Sequence, residues 1–236
     1  MPTKTIVPEP GLTVQDLPTL SADQLAALHF GEGCLVEEYL FLRGLALLLG
    51  PQRILEVGTS CGVGGLMLLD GASAFGRTAR LTTIDITRHD AFERNLAQFP
   101  HLRERIERIV APSDQALPEL IAAGRKFDLV FLDGDHSAAQ AQRDWEHVQN
   151  LADRFVLHDT DQMPGCRGLV ERIRAAGGYD VLPLTYACGH QIFHGVVAEG
   201  RAYDGIYHQQ RLVWNKSLRG PGLTLVQRRR DTGPPS

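Results

Sequence analysis

The chain has 236 residues, 43% hydrophobic and 22% charged, with 24 glycines and 13 prolines; this composition excludes a disordered or low-complexity chain and favours one large core. Lysine and arginine number 24 against 28 aspartates and glutamates, a formal net charge of −4, which argues against a broad phosphate-tracking surface and hence against a nucleic-acid partner. The four cysteines, Cys34, Cys61, Cys166 and Cys188, form no C-x-x-C pair, so neither a disulfide framework nor a zinc knuckle is expected.

Residues 1–20 carry Pro2, Pro8, Pro10 and Pro18 and read as an extended arm without the apolar run of a secretory signal; the expectation is a cytoplasmic protein. Ser21 reads as the N-cap of a short helix ending near Gly31, and a second helix runs from about Cys34 to Leu49, stopped by Gly50-Pro51. Glu37, Glu38 and Arg43 interrupt that most apolar stretch, which is too short to span a bilayer, so no membrane association is expected. Residues 1–50 are thus an arm and helices, and 51–236 the main domain.

From residue 53 short apolar runs alternate with helical segments. Arg53–Val57, Leu81–Ile86, Ile106–Val110, Phe127–Leu132, Phe155–Leu157 and Tyr179–Leu184 are the predicted strands. Between Ser137 and Leu151, Ala138, Ala141, Trp145 and Val148 recur at helical spacing. Apolar strands alternating with helices predict a doubly wound α/β fold, a mostly parallel sheet covered on both faces. Residues 222–229 (GLTLVQRR) read as a final strand. That leaves 187–220, with His190 and His194, as a long insertion suited to covering a substrate. A competing parse makes Gln191–Ala198 the last strand.

The strongest motif is Glu56-Val57-Gly58-Thr59-Ser60-Cys61-Gly62, a strand ending in a glycine-rich turn that opens a helix. Such a turn brings backbone N–H groups close to an anionic ligand. Ser60 occupies the middle glycine position of the dinucleotide fingerprint, so that fingerprint is not met. Asp85 ends the next strand, where a carboxylate accepts both hydroxyls of a ribose. Ser113 and Asp114 follow the third strand and read equally well as contacts to an adenine edge or as helix caps.

These residues resemble the class I S-adenosylmethionine-dependent methyltransferases, and Glu56 to Gly62 is similar to the catechol O-methyltransferase-like branch. The resemblance spans about 33–185. It implies seven strands in the order 3-2-1-4-5-7-6, the last antiparallel, and S-adenosyl-L-methionine held by Glu56, Gly58, Ser60, Gly62, Asp85, Ser113, Asp114 and Asp133.

Two further strands end in Asp133-Gly134-Asp135-His136 and in His158-Asp159. If they are neighbours, Asp133, His158 and Asp159 converge beside the cofactor turn and suit a divalent metal, Mg²⁺ or Mn²⁺, with imidazole favouring the softer ion. The competing reading is a His158–Asp159 pair that only orients its loop. The resemblance assigns the metal to Asp133, His158 and Asp159 and the general base to His136. An ordinary imidazole, with a pKa of about 6.5, is mostly neutral at neutral pH.

The expected activity is O-methylation of a small hydroxylated acceptor, sugar or phenolic, by a homodimer or higher homo-oligomer. A nucleotide-dependent oxidoreductase and a non-catalytic adenosyl-binding protein remain the alternatives.

Overall fold

The structure, a computed structural model, describes residues 20–30, 36–184 and 222–229. The proline-rich arm, the 187–220 segment with His190 and His194, the alternative strand Gln191–Ala198, Cys34 and Cys188 lie outside the described residues.

Helix α1 (Ala22–Ala27) begins with Ser21 and Gln24 in a reciprocal capping box, and Leu28 ends it in extended backbone, short of Gly31. Helix α2 (Val36–Leu49) precedes β1 (Arg53–Val57), α3 (Val63–Ala72), β2 (Arg80–Asp85), α4 (Asp90–Leu96) and β3 (Ile106–Val110). Then come α5 (Ser113–Ala122), β4 (Leu129–Leu132), α6 (Ala138–Val148), β5 (Arg154–His158), α7 (Pro164–Ala176), β6 (Tyr179–Pro183) and β7 (Leu223–Arg228).

The seven strands form one sheet in the order β3-β2-β1-β4-β5-β7-β6, with β7 antiparallel to both neighbours. This is the expected order, and GLTLVQRR is its last strand. Successive residues explain the continuously apolar strands: Ile54, Leu129, Phe131 and Val156 face one core, Leu55, Val130, Leu132 and Phe155 the other. One core lies under α2 and α3, the other under α5, α6 and α7.

Helix α3 is apolar on every side except at Asp70, because every one of its residues is buried. A Cβ on Gly71 would lie 2.1 Å from the Arg43 carbonyl oxygen, so the two helices cross at backbone distance. Arg43 Nε donates to Asp70 Oδ2 at 2.6 Å across the same crossing. Among the described residues no helix is long and apolar enough to cross a membrane.

Candidate active site

The parallel strands β1, β2 and β4 all deliver their carboxyl ends to one rim. The Asp133 N–H donates to the Val57 carbonyl at 2.8 Å, and the Gly58 N–H to the Ile84 carbonyl at 2.9 Å. Gly58 has φ +98, and a Cβ there would lie 2.0 Å from the Asp133 carbonyl oxygen. Only glycine lets the β1 exit press against the β4 exit in this way.

Ser60 follows with φ 44 and donates its N–H to Asp85 Oδ2 at 2.7 Å. The Thr87 N–H donates to Asp85 Oδ1 at 3.0 Å, so the carboxylate is fixed at the rim by two backbone bonds.

A cleft of about 410 Å³ opens over this rim. Six of the predicted cofactor residues line it: Gly58, Ser60, Asp85, Ser113, Asp114 and Asp133. The other two do not. Gly62 caps α3 and packs against Phe92, where a Cβ would meet the ring at 2.3 Å.

Glu56 lies beneath the turn, 1% exposed, and accepts a hydrogen bond from Thr83 Oγ1 at 2.5 Å. Burial pushes its carboxyl up to about 8, against the bonds from Thr83 and the Gly65 backbone. Its contacts are with the floor of the turn rather than with the cleft.

Two cleft residues carried no motif in the sequence. Gln140, in the first turn of α6, holds Nε2 within 3.1 Å of Ser113 Oγ, 3.0 Å of Asp114 Oδ1 and 2.9 Å of Asp144 Oδ1. One amide nitrogen has two protons for these three acceptors. Burial raises the Asp144 carboxyl above the ordinary range. On the rim Ile86, 72% exposed, adds an apolar face.

Behind Asp133 stands the second cluster. The adjacent strands β4 and β5 bring Asp133, His158 and Asp159 together as expected, and His136 joins the same group. His158 Nδ1 lies 2.7 Å from Asp133 Oδ1, and His136 Nδ1 lies 2.9 Å from Asp159 Oδ2. His136 Nε2 is 3.5 Å from Asp133 Oδ1. Asp159 has φ 56, a left-handed backbone that a non-glycine residue adopts only under constraint.

The charges in this cluster are mutually supported. Burial pushes Asp133 and Asp159 up, but the facing imidazoles outweigh it and hold both carboxyls below their ordinary range. Bonds to Asp133 and Asp159 push His136 up to about 9. With these partners its ring stays protonated at neutral pH, contrary to the sequence expectation of a neutral imidazole. Paired carboxylates are the physical reason. Burial takes the neighbouring Cys166 thiol up to about 12, so it is not a thiolate at neutral pH.

Each of the four residues offers a donor atom, and these atoms all lie within 4.8 Å of one another. Asp159 Oδ1 is buried with no hydrogen-bond partner among the described residues. Two carboxylates and two imidazoles around an unsatisfied oxygen fit a divalent cation, and the nitrogen donors favour Mn²⁺ or Fe²⁺ over Mg²⁺.

Comparison with known proteins agrees with this architecture. A family profile described as a methyltransferase domain matches residues 55–159. The catechol O-methyltransferase of Mycobacterium tuberculosis (strain ATCC 25618 / H37Rv) is 35% identical over 105 residues, 44% of this chain and 46% of that protein. The chain thus matches just under half the length of that relative.

Among solved structures, the Bacillus cereus O-methyltransferase in complex with SAH is 16% identical, with a TM-score of 0.58 over 88% of this chain and 86% of its own. TomG from Streptomyces achromogenes, an O-methyltransferase of tomaymycin synthesis in complex with SAM, is 18% identical, with a TM-score of 0.57 over 84% and 82%. At such identities the likeness shows the shared fold. Sheet order, glycine turn and sequence match point the same way: residues 55–159 match a methyltransferase domain, and a stretch of 105 residues is similar to a catechol O-methyltransferase.

Proposed function

We propose that the protein transfers the methyl group of S-adenosylmethionine to a hydroxyl oxygen of a small sugar or phenolic acceptor. The observation that carries this reading is that Asp133 belongs both to the cleft and to the Asp/His cluster, so donor and acceptor sites share a wall.

The cleft is large enough for a small ligand, and its polar groups are few and fixed. Asp85, tied to the Ser60 and Thr87 N–H groups, keeps lone pairs for the ribose hydroxyls. Ser113, Asp114, Gln140 and Asp144 present acceptors suited to an amino-bearing base edge, beside the apolar face of Ile86. Because the sulfonium is already a good leaving group, the protein's task is alignment of an in-line attack and ionisation of the acceptor.

Asp133, His158 and Asp159 would hold a divalent cation, which supplies the positive charge that favours the ionised acceptor oxygen. Asp159 orients His136 through Nδ1, which leaves Nε2 as the atom that takes the acceptor's proton. In that role His136 must be neutral. That requires Asp133 and Asp159 to stabilise its charge less than they do here, while Asp159 still orients the ring.

The test combines thermal unfolding with turnover. S-adenosylmethionine and its demethylated product stabilise the protein by mass action, while NAD does not. Mn²⁺ adds stabilisation that a chelator removes, and Asp133→Asn abolishes it. His136→Ala lowers turnover by about 10²- to 10⁴-fold with product affinity retained. Stabilisation by NAD alone, or full metal-stimulated activity in Asp133→Asn, contradicts the reading.

A further inference from the structure

The Asp/His cluster has a neighbour that no motif singled out. Glu38, on α2, is 2% exposed, and its Oε2 lies 3.5 Å from His158 Nε2. The other oxygen, Oε1, accepts the Gly222 backbone N–H at 3.0 Å, at the entry to β7. His158 therefore sits between two carboxylates, with Asp133 on Nδ1 and Glu38 on Nε2. Phe131 packs edge-on against its ring, with centroids 6.2 Å apart and planes at 71°. Packing thus sets the ring plane, and each ring nitrogen faces a carboxylate oxygen.

We infer that Glu38 is a positioning residue for the metal site: it keeps the hydrogen of His158 on Nε2, so that the Nδ1 lone pair is presented to the Asp133–Asp159 side. The inference rests on the metal reading of that cluster. A buried carboxylate is not needed merely to accept the Gly222 N–H, because a neutral amide oxygen does that equally well. What only an anion or another acceptor provides at the second oxygen is a partner for an imidazole N–H. A ligating imidazole whose far N–H is held by a carboxylate is oriented and made more basic, and loss of such a partner costs about 10- to 100-fold in metal affinity.

Glu38→Gln separates this role from packing. The Gly222 N–H fixes the amide with its oxygen toward Gly222, so the NH₂ group faces His158 Nε2 and requires a lone pair there. The hydrogen is driven to Nδ1, the wrong atom for a ligand.

The full-length chain is titrated with Mn²⁺, and S-adenosylhomocysteine affinity is measured alongside. The expected result is Mn²⁺ binding weakened about 10- to 100-fold in Glu38→Gln, with nucleoside affinity unchanged. In a His158→Ala background the same substitution adds no further loss, because its effect acts through His158. Unchanged Mn²⁺ affinity in Glu38→Gln, or losses that simply multiply in the double variant, overturn the inference.

Two-bond ¹H–¹⁵N spectra of the metal-free protein give a readout independent of the cation. His158 Nε2 is protonated in the wild type and unprotonated in Glu38→Gln. An unprotonated Nε2 in the wild type overturns the role of Glu38 even if the variant does not fold. Absence of Mn²⁺ binding in a wild type with protonated Nε2 overturns the metal reading while leaving Glu38's hold on the ring supported.

Discussion

The Ser60 backbone N–H and the Asp85 carboxylate, from two motifs 25 residues apart, are joined by a 2.7 Å hydrogen bond. The bond explains how a serine with φ 44 is held in the turn and why Asp85 points into the cleft. Asp85→Ala removes both the proposed ribose acceptor and the brace on the turn. S-adenosylhomocysteine affinity, measured by calorimetry, is expected to fall about 10- to 100-fold, the range for hydrogen bonds to a charged group.

Gly58 is the position least open to substitution. Gly58→Ala drives a Cβ into the Asp133 carbonyl and strains a φ of +98. Denaturant unfolding should show a loss on the order of 3 kcal/mol or more. Gly76, with φ +74 and nothing within 4 Å of a built Cβ, is the control. Alanine there costs only about 1–2 kcal/mol of left-handed backbone strain.

Glu56 makes stability pH-dependent. Its carboxyl goes from 4.5 in the unfolded chain to about 8 when folded. The native state therefore keeps a proton that the unfolded state has released. Stability from this group is complete below about 4.5, falls as pH rises, and levels off above about 8. The whole span is on the order of 5 kcal/mol. Glu56→Gln, which mimics the protonated form, should flatten this part of the profile in metal-free protein. An unchanged slope between those pH values would refute the assignment.

Gly165 controls where His136 sits. A Cβ on Gly165 would lie 2.2 Å from the His136 carbonyl oxygen and 2.7 Å from the Ala138 nitrogen. Gly165→Ala is expected to push the His136 loop away and lower turnover by about 10²-fold, with S-adenosylhomocysteine affinity intact. Gly168→Ala, whose nearest neighbour is the flexible end of Arg172 at 3.3 Å, should leave both unchanged.

Much of the scaffold was legible because its signals are local. Apolar runs such as Ile54-Leu55 and Leu129 to Leu132 define strands, and the glycine turn after β1 and the aspartates at strand ends define the rim of the cleft. Knowing the strand order was enough to bring Asp133, His158 and Asp159 together, since parallel neighbours end at the same edge. The electrostatic state of His136 was not legible. Its charge is favoured by Asp133, three residues away, and by Asp159, just past the end of the next strand, and the effect depends on distances that spacing does not supply.

The residues that escaped notice share a cause. Glu38 looked like an interruption in an apolar helix, and that interruption was the available signal: a carboxylate in such a run is either exposed or paired. Gln140 and Gly165 carried no comparable mark.

Periodicity, turn chemistry and strand-end carboxylates, all properties of adjacent residues, determined the α/β class, the glycine turn and the identity of the acidic groups at the rim. Tertiary packing decided the partners. It joined Glu38 to Gly222 across 184 residues, set His158 between two carboxylates, and dropped Glu56 beneath the turn it was expected to line. Hydrogen bonding and desolvation depend on separations of a few ångströms, and those exist only once the two faces of the sheet have been covered.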